Sequence, residues 1–227
     1  MDYMGTLYLV ATPIGNLEDI TLRAIRTLKE ADLIVCEDTR TTGNLLAHFE
    51  IKKPLESFFE HNEPVKSQKI VGYMEGGQNV ALVTDAGMPA ISDPGYRLVR
   101  EAIERGVKVV PIPGPSAAVT ALAASGLPTD QFVFVGFLPQ KQGKRQNFLR
   151  SLLEEERTII AYESPHRLQF ALQDILEVLG DRQICVAREL TKIYEEFVRG
   201  SVSEVLERFK DKDVKGEITL VISGNKQ

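Results

Sequence analysis

The first half of the chain alternates short apolar runs with segments of helical periodicity. The apolar runs are rich in β-branched residues, which is the pattern of buried strands; they cover residues 6–10, 33–36, 80–84 and 107–112. Between them, residues 22–28 and 96–105 place apolar side chains three and four positions apart, which predicts helices. Strands that alternate with helices predict an α/β fold with a mainly parallel sheet and helices on both of its faces.

A proline-rich run interrupts this pattern near the midpoint of the chain. Three prolines within residues 111–115 exclude a helix or a central strand, so the run is predicted to be a stiff connector. A helix of small residues is predicted at 116–125, further strands at 132–135, 158–162, 184–188 and 217–223, and helices at 167–179 and 202–209. We therefore predict two α/β domains, residues 1–112 and 116–227, with a ligand cleft between them.

Composition and charge narrow the class of protein. The chain has 227 residues, 43% of them apolar and 26% charged, which excludes a disordered or collagen-like chain. With 27 basic and 32 acidic residues the net charge is −5. This balance argues against a protein that coats nucleic acid non-specifically, because such binding depends on neutralising phosphates.

The same composition bears on location and on metals. No apolar run approaches the roughly 20 residues that cross a bilayer. Residues 1–5 lack the basic flank and the long apolar stretch of a secretion signal. We therefore expect a cytoplasmic protein with no membrane partner. Cys36 and Cys185 are far apart and are interpreted as small buried apolar residues, and the three histidines form no metal pair, so no metal site is expected.

Two loops that follow predicted strands have unusual compositions. Residues 12–16 (TPIGN) suit a tight turn, but their single glycine excludes a dinucleotide-binding fingerprint, and a plain strand-to-helix turn is the alternative. Residues 84–95 contain two glycines, two prolines and two carboxylates, more than a structural loop needs. This loop as a whole is predicted to bind a ligand, whereas Asp93 alone is predicted to cap the helix that follows.

Two other predicted strands end in charged residues. Residues 36–40 (CEDTR) place two acids and an arginine at a strand end, where acids serve as bases or bind ligands; a helix cap at Asp38 with a local partner for Arg40 is the alternative. Residues 163–167 (ESPHR) lead from a strand into a helix, and His166 is interpreted as structural. No nucleophile elbow accompanies these residues, so covalent catalysis has no support.

The segment of residues 132–153 is basic throughout. It contains four basic residues and no acid. Gly143 and Lys144 suggest a phosphate loop, but Leu138 and Arg145 break its pattern, which argues against hydrolysis of nucleoside triphosphates. A flexible basic loop that contacts an anionic polymer is predicted, with a merely solvated loop as the alternative.

Taken together, the motifs resemble a known family. They occur in the order VATPIGNL at 10–17 with DI at 19–20, EDTR at 37–40, the loop of residues 85–95, PGPSA at 113–117, ESPHR at 163–167 and RELTK at 188–192. This series resembles the tetrapyrrole methylase family, in its branch that methylates ribosomal RNA of the small subunit. The resemblance runs from residue 5 to residue 224, nearly the whole chain.

The resemblance carries specific expectations. It implies an S-adenosylmethionine-dependent enzyme that methylates the ribose 2′-hydroxyl of a decoding-centre cytidine in the 16S rRNA of the small ribosomal subunit. It also implies a two-domain α/β fold with the cofactor in the cleft, and a homodimer. Matched motif by motif, it places nine residues beside the cofactor: Ile14, Gly15, Gly87, Met88, Ile91, Ser116, Ala117, Glu163 and Leu190.

The chain departs from the tetrapyrrole enzymes in two places. Their Gly-x-Gly-Pro-Gly-Asp motif is replaced by residues 12–16, and Met88 stands where they carry an aspartate. Both changes argue against a porphyrin-like substrate, and methylation of a tetrapyrrole or other small molecule is kept as the alternative function. A non-enzymatic RNA-binding module is a third hypothesis, against which the acidic balance and the elaborate loops count.

The chemistry suggests further site residues. A 2′-hydroxyl is a poor nucleophile until its proton begins to leave, so a nearby base helps the transfer. Asp38 and Glu163 end strands beside the predicted cleft and are the candidate catalytic bases. The candidate RNA contacts are Lys141, Lys144, Arg145 and Arg167.

Overall fold

The computed structural model of the protein describes residues 4–59, 61 and 63–226. The first three residues, which the expectation about a secretion signal included, lie outside that part of the chain. The chain divides into two units, Met1–Ser116 and Ala117–Gln227. Over the described ranges no helix has the length and apolar character needed to cross a membrane.

The first unit is a five-stranded parallel sheet flanked by four helices. Its strands are β1 (Thr6–Val10), β2 (Leu33–Cys36), β3 (Leu55–Ser57), β4 (Val80–Leu82) and β5 (Lys108–Ile112). Its helices are α1 (Leu22–Glu30), α2 (Thr39–His48), α3 (Glu63–Glu75) and α4 (Tyr96–Glu104). The strand order is β3-β2-β4-β1-β5, and every neighbouring pair runs parallel.

Alternation along the strands sends side chains to two separate cores. Along β1, Leu7 packs with α3 and α4, whereas Val10 packs with α1 and α2 on the other face. Because both faces of a parallel sheet must be covered, its central strands β2, β4 and β1 are apolar at nearly every position. The prediction of helices on both faces is confirmed.

The proline-rich run begins inside β5. Pro111 pairs with Leu9 of β1, and β5 is the last strand of the sheet. Proline lacks the N–H that a second neighbour would need, so it is tolerated at an edge and not in the centre. The prediction that this run contains no central strand is confirmed, and the division between the two units falls after Ser116.

The second unit contains a mixed sheet. Its strands are β6 (Phe132–Phe137), β7 (Thr158–Glu163), β8 (Gln183–Arg188), β9 (Glu196–Ser201) and β10 (Ile218–Ile222). Its helices are α5 (Ala117–Ser125), α6 (Gln142–Arg150), α7 (Leu168–Leu179) and α8 (Val202–Phe209). The order is β6-β7-β10-β8-β9, in which only the pair of β6 and β7 is parallel. Helices α6, α7 and α8 contribute to one core with the central strands, and α5 packs against β10, β7 and β8.

The strand predicted at 132–135 is confirmed as part of β6, but the prediction of a flexible basic loop in the rest of residues 132–153 is wrong. The segment forms β6 and α6, and Leu149 on α6 is buried in the core of the second unit. The prediction that Arg145 contacts RNA is also wrong, because its side chain is only 3% exposed. Its guanidinium pairs with the buried Asp174 of α7, with Nε at 2.7 Å from a carboxylate oxygen.

Candidate active site

Three neighbouring strands of the first unit deliver the candidate residues to one edge of the sheet. Strands β2, β4 and β1 lie side by side and run parallel, so the loops that follow them emerge together. The carboxyl edge of such a sheet is where ligands bind in α/β proteins. The loop of residues 12–16 follows β1, Glu37 and Asp38 follow β2, and the loop of residues 84–95 follows β4.

The loop of residues 12–16 and the loop of residues 84–95 are hydrogen-bonded to each other. Thr12 and Gly87 exchange two backbone hydrogen bonds, at 2.9 and 3.1 Å, and the Thr12 hydroxyl donates to the carbonyl of Thr84 at 3.0 Å. Gly87 has a φ of +87°, a conformation that favours glycine. A Cβ placed on it would lie 3.6 Å from Cγ2 of Ile14. The structure therefore brings Ile14 and Gly87, two predicted cofactor contacts, to the same place.

The middle of the second loop holds strained backbone. Ala90 and Ser92 have φ values of +68° and +63°, which are uncommon for residues with a side chain. Between them Ile91 is half exposed, and Met88 precedes them in a partly buried position. Such strain persists only where the surroundings impose it, and it concentrates at ligand sites.

Carboxylates gather at the same edge. The Thr84 hydroxyl donates to Glu37 at 3.3 Å, and the backbone N–H of Asp38 donates to a carboxylate oxygen of Asp85 at 3.3 Å. Burial raises the pKa of Glu37, and the negative charges of Asp93 and Asp85 raise it further. Burial likewise raises the pKa of Asp93, with Asp85 adding to the effect. Glu37 and Asp93 were not among the predicted site residues, although each stands in a motif that the sequence made conspicuous.

Asp38 has a structural role in α2. Its carboxylate accepts from the backbone N–H of Arg40 at 2.8 Å and from the Arg40 guanidinium at 2.9 Å. Hydrogen bonds from the Arg40 side chain and backbone lower the pKa of Asp38 below its usual range. This is the capping alternative that the sequence left open, and a lowered pKa makes Asp38 a weak base.

The prediction that Asp93 caps α4 is wrong. The cap position is Gly95, and the backbone N–H groups of Gly95 and Arg97 donate to the carboxylate of Glu63 instead. Asp93 is separated from the helix by Pro94. Its carboxyl forms a hydrogen bond with Thr84, beside the carboxylates of Glu37 and Asp85. It therefore belongs to the site edge and not to the helix.

The remaining predicted cofactor contacts lie at the end of the first unit and in the second. Ser116 is the last residue of the first unit, and Ala117 opens α5. Leu190 is buried in the turn after β8, between Glu189 and Thr191, whose φ values are +51° and +67°. Like Ile91, it is an apolar residue flanked by two strained neighbours. Gly15 follows Ile14 in the first unit and is exposed.

Glu163 ends β7 and is buried with one oxygen satisfied and one open. Its Oε1 accepts from the Ser164 N–H at 2.6 Å and from two nitrogens of Arg167 at 3.0 and 2.7 Å. Its Oε2 is buried and has no hydrogen-bond partner among the described residues. Arg167, a predicted RNA contact, is thus bound to Glu163 and orients that carboxylate.

Two predicted RNA contacts remain on the surface. Lys141 and Lys144 are exposed at the start of α6, and the first turn of this helix contains no acid. Cations do not stabilise the positive end of a helix dipole, so helix stability does not explain their position. That Lys141 and Lys144 contact RNA stays a prediction.

The family model for Tetrapyrrole (Corrin/Porphyrin) Methylases matches residues 6–206 of the chain. The chain belongs to the tetrapyrrole methylase family. Solved structures of this fold include a diphthine synthase, with a TM-score of 0.75 and 14% identity over 96% of this chain and 90% of that one. A uroporphyrin-III-C-methyltransferase from Thermus thermophilus gives a TM-score of 0.68 and 20% identity over 97% and 95%. At these identities the likeness shows the fold alone.

Curated relatives place the chain more narrowly within the tetrapyrrole methylase family. A Halalkalibacterium halodurans protein named Ribosomal RNA small subunit methyltransferase I is 54% identical over 99% of this chain and 78% of its own length. A Thermotoga maritima protein of the same name is 52% identical over 97% of this chain and 99% of its own. Members of this group are methyltransferases, and so is this chain.

Proposed function

We propose that this methyltransferase transfers a methyl group from S-adenosylmethionine to the ribose 2′-hydroxyl of a decoding-centre cytidine in the 16S rRNA of the small ribosomal subunit. The observation that carries the proposal is identity above 50% along nearly the whole chain to relatives named for that RNA. The tetrapyrrole alternative is not favoured, because the tetrapyrrole enzyme compared above shares only 20% of its residues. As the family resemblance implies, we also propose a homodimer. Because the proposed substrate is ribosomal RNA, we propose that the protein acts in the cytoplasm.

The residues present fit S-adenosylmethionine. When bound, it supplies an electrophilic methyl group on a positively charged sulfur. The hydrogen bonds between Thr12 and Gly87 hold Gly87, which has no side chain, beside Ile14, and the neighbouring carboxylates favour a positive charge. In the second unit, the open Oε2 of Glu163 is an acceptor for a hydroxyl or amino group of a ligand.

We further propose that Glu37 accepts the proton of the 2′-hydroxyl, in place of Asp38 and Glu163. A base works best when its pKa approaches the working pH, and the pKa of Glu37 is raised whereas that of Asp38 is lowered. Glu163 has its Oε1 engaged by Arg167 and is assigned to hold a ligand. Most of the remaining rate enhancement comes from orienting the two reactants.

The product of the reaction tests the proposed function. Purified protein is incubated with labelled S-adenosylmethionine and either small ribosomal subunits or naked 16S rRNA, and the labelled nucleoside is identified. We expect 2′-O-methylcytidine, with subunits the better substrate, because an acidic protein gains little from general phosphate attraction and must recognise a shaped RNA. A base-methylated nucleoside, or label only in a tetrapyrrole precursor, would contradict the proposal.

The exposed lysines of α6 give a second test. Replacing Lys141 and Lys144 together by alanine is expected to weaken RNA binding and to reduce the dependence of log affinity on log salt by up to about two phosphate contacts. Affinity for S-adenosylmethionine should stay the same. The matched control replaces the exposed Lys29 and Lys52 of the first unit, which changes the charge equally. Equal salt slopes for the two double variants would remove α6 from the RNA surface.

A further inference from the structure

Glu63 is a buried carboxylate that belongs to none of the sequence motifs. It is the first residue of α3 and is 7% exposed. Its Oε1 accepts from the backbone N–H of Gly95 at 3.1 Å and from that of Arg97 at 3.0 Å. These groups open α4, whose own cap residue is a glycine without a side chain that could serve them. A residue more than thirty positions earlier therefore caps this helix.

The Glu63 carboxylate is held firmly at the start of α4. The first N–H groups of a helix lack partners within the helix and carry partial positive charge, so a carboxylate binds them through charge-assisted hydrogen bonds. Glu63 is itself held, because its N–H donates to the carbonyl of Phe59 at 3.0 Å and its carbonyl accepts from the Ser67 hydroxyl at 2.7 Å. The position of α3 thus sets the position of Gly95.

Gly95 passes this constraint to the loop of residues 85–95. A Cβ on Gly95 would lie 2.9 Å from Cδ2 of Leu82 and 3.1 Å from Cβ of Ala90, so the backbone of Gly95 packs directly against both residues. Ala90 and Ser92 hold the strained positive φ values described above. The loop is therefore fixed at its start by the Thr12–Gly87 hydrogen bonds and at its end by Glu63.

We propose that Glu63 is a positioning residue, which holds the loop of residues 85–95 in the strained conformation that accepts S-adenosylmethionine. This inference rests on the proposed function of that loop. Strained backbone relaxes unless its surroundings over-determine it. Without Glu63 the end of the loop loses its hydrogen-bonded anchor, so the fraction of molecules with a competent site falls and binding weakens in proportion.

The test uses Glu63→Leu, which removes the acceptor, and Glu63→Gln, which keeps an oxygen at the same place. Amide hydrogen exchange of residues 86–95 is measured without cofactor, and affinity for S-adenosylmethionine is measured by calorimetry. For Glu63→Leu we expect exchange about tenfold faster and a Kd about tenfold higher, in proportion to the lost competent fraction. Glu63→Gln should stay within about threefold of the native protein in both, since neutral hydrogen bonds replace charge-assisted ones.

A matched control separates positioning from general stability. Asp181 in the second unit also binds the first turn of a helix from outside it, since its carboxylate accepts from the Ser203 N–H of α8 at 2.8 Å, although Asp181 is exposed and α8 is capped by Ser201. Asp181→Leu should lower the melting temperature and leave both the exchange of residues 86–95 and the Kd unchanged. If Glu63→Leu behaves like this control, the proposal is overturned.

Two further outcomes are informative. Should Glu63→Leu fail to fold, Glu63→Asp replaces it; its shorter side chain withdraws the acceptor, and a Kd and exchange rate equal to those of Glu63→Gln would contradict the proposal. If the native protein binds no S-adenosylmethionine, the proposed function fails while the exchange measurement still decides whether Glu63 anchors the loop.

Discussion

Replacing Glu37 by glutamine is expected to slow methyl transfer about a hundredfold or more, the range in which proton acceptors contribute to catalysis. The variant keeps the shape and the hydrogen bond from Thr84 but cannot take a proton at neutral pH. Removing one of the carboxylates that favour the positively charged cofactor also weakens its binding, so the effect is measured as single-turnover rates at saturating cofactor, where only the bound complexes are compared. The matched Asp38→Asn variant should lose far less, because Asp38 serves as the cap of α2.

The pH dependence of the same rate gives an independent check. Only the carboxylate form of Glu37 accepts a proton, so the rate should fall as pH falls through its pKa, which lies above the ordinary value of 4.5. The charge of Asp93 helps to raise that pKa, so Asp93→Asn should move the fall in rate to lower pH. A Glu37→Gln variant with native turnover would mean that the proton leaves by another path.

The largest effect on stability is expected at Asp174. Its carboxylate and the guanidinium of Arg145 are 1% and 3% exposed, so Asp174→Ala leaves a buried charge without its partner. We expect the free energy of unfolding to fall by about 3–5 kcal/mol, measured by urea denaturation. Because an apolar pair can replace a buried ion pair at little cost, the double variant Arg145→Met and Asp174→Leu should recover most of the loss.

An exposed ion pair serves as the control for this experiment. Arg100 and Glu104 on α4 are 67% and 59% exposed, and Glu104→Ala should cost less than about 1 kcal/mol. If Asp174→Ala lowers the free energy of unfolding no more than Glu104→Ala does, water reaches the ion pair of Arg145 and Asp174. If the double variant is as unstable as the single one, the polar network around Asp174, which includes Gln142 and Gln146, matters more than the charge pair.

The sequence predicted those elements that bury an apolar face along their whole length. Strands β1 and β2 carry apolar residues at nearly every position, so their bounds could be read directly. Strand β9 was missed because it lies at a sheet edge and contains Glu196, Arg199 and Gly200, which do not form an apolar run. Helix α6 was missed because most of its residues are polar.

The part of the candidate site that follows from the order of the strands could be predicted from the sequence. Loops after neighbouring parallel strands meet at one edge, so residues 12–16 and 84–95 could be assigned to a ligand from their composition. The burial of Arg145 could not be predicted from the sequence, because it depends on a partner 29 residues away on another helix. The cap that Glu63 provides is likewise invisible in sequence, since any exposed glutamate at the start of a helix would look the same.

The place of β10 in its sheet has a consequence for synthesis of the chain. It is the last strand of the second unit to be made, yet it lies in the centre, paired with β7 on one side and β8 on the other. In a nascent chain that stops before residue 218, β7 and β8 each present an open edge of unpaired backbone groups, which invites pairing with other chains. The first unit does not share this exposure, because its last strand, β5, joins at the edge of a sheet whose other members are already present. Interrupted translation or loss of the last strand should therefore yield a folded first unit attached to an aggregation-prone second one.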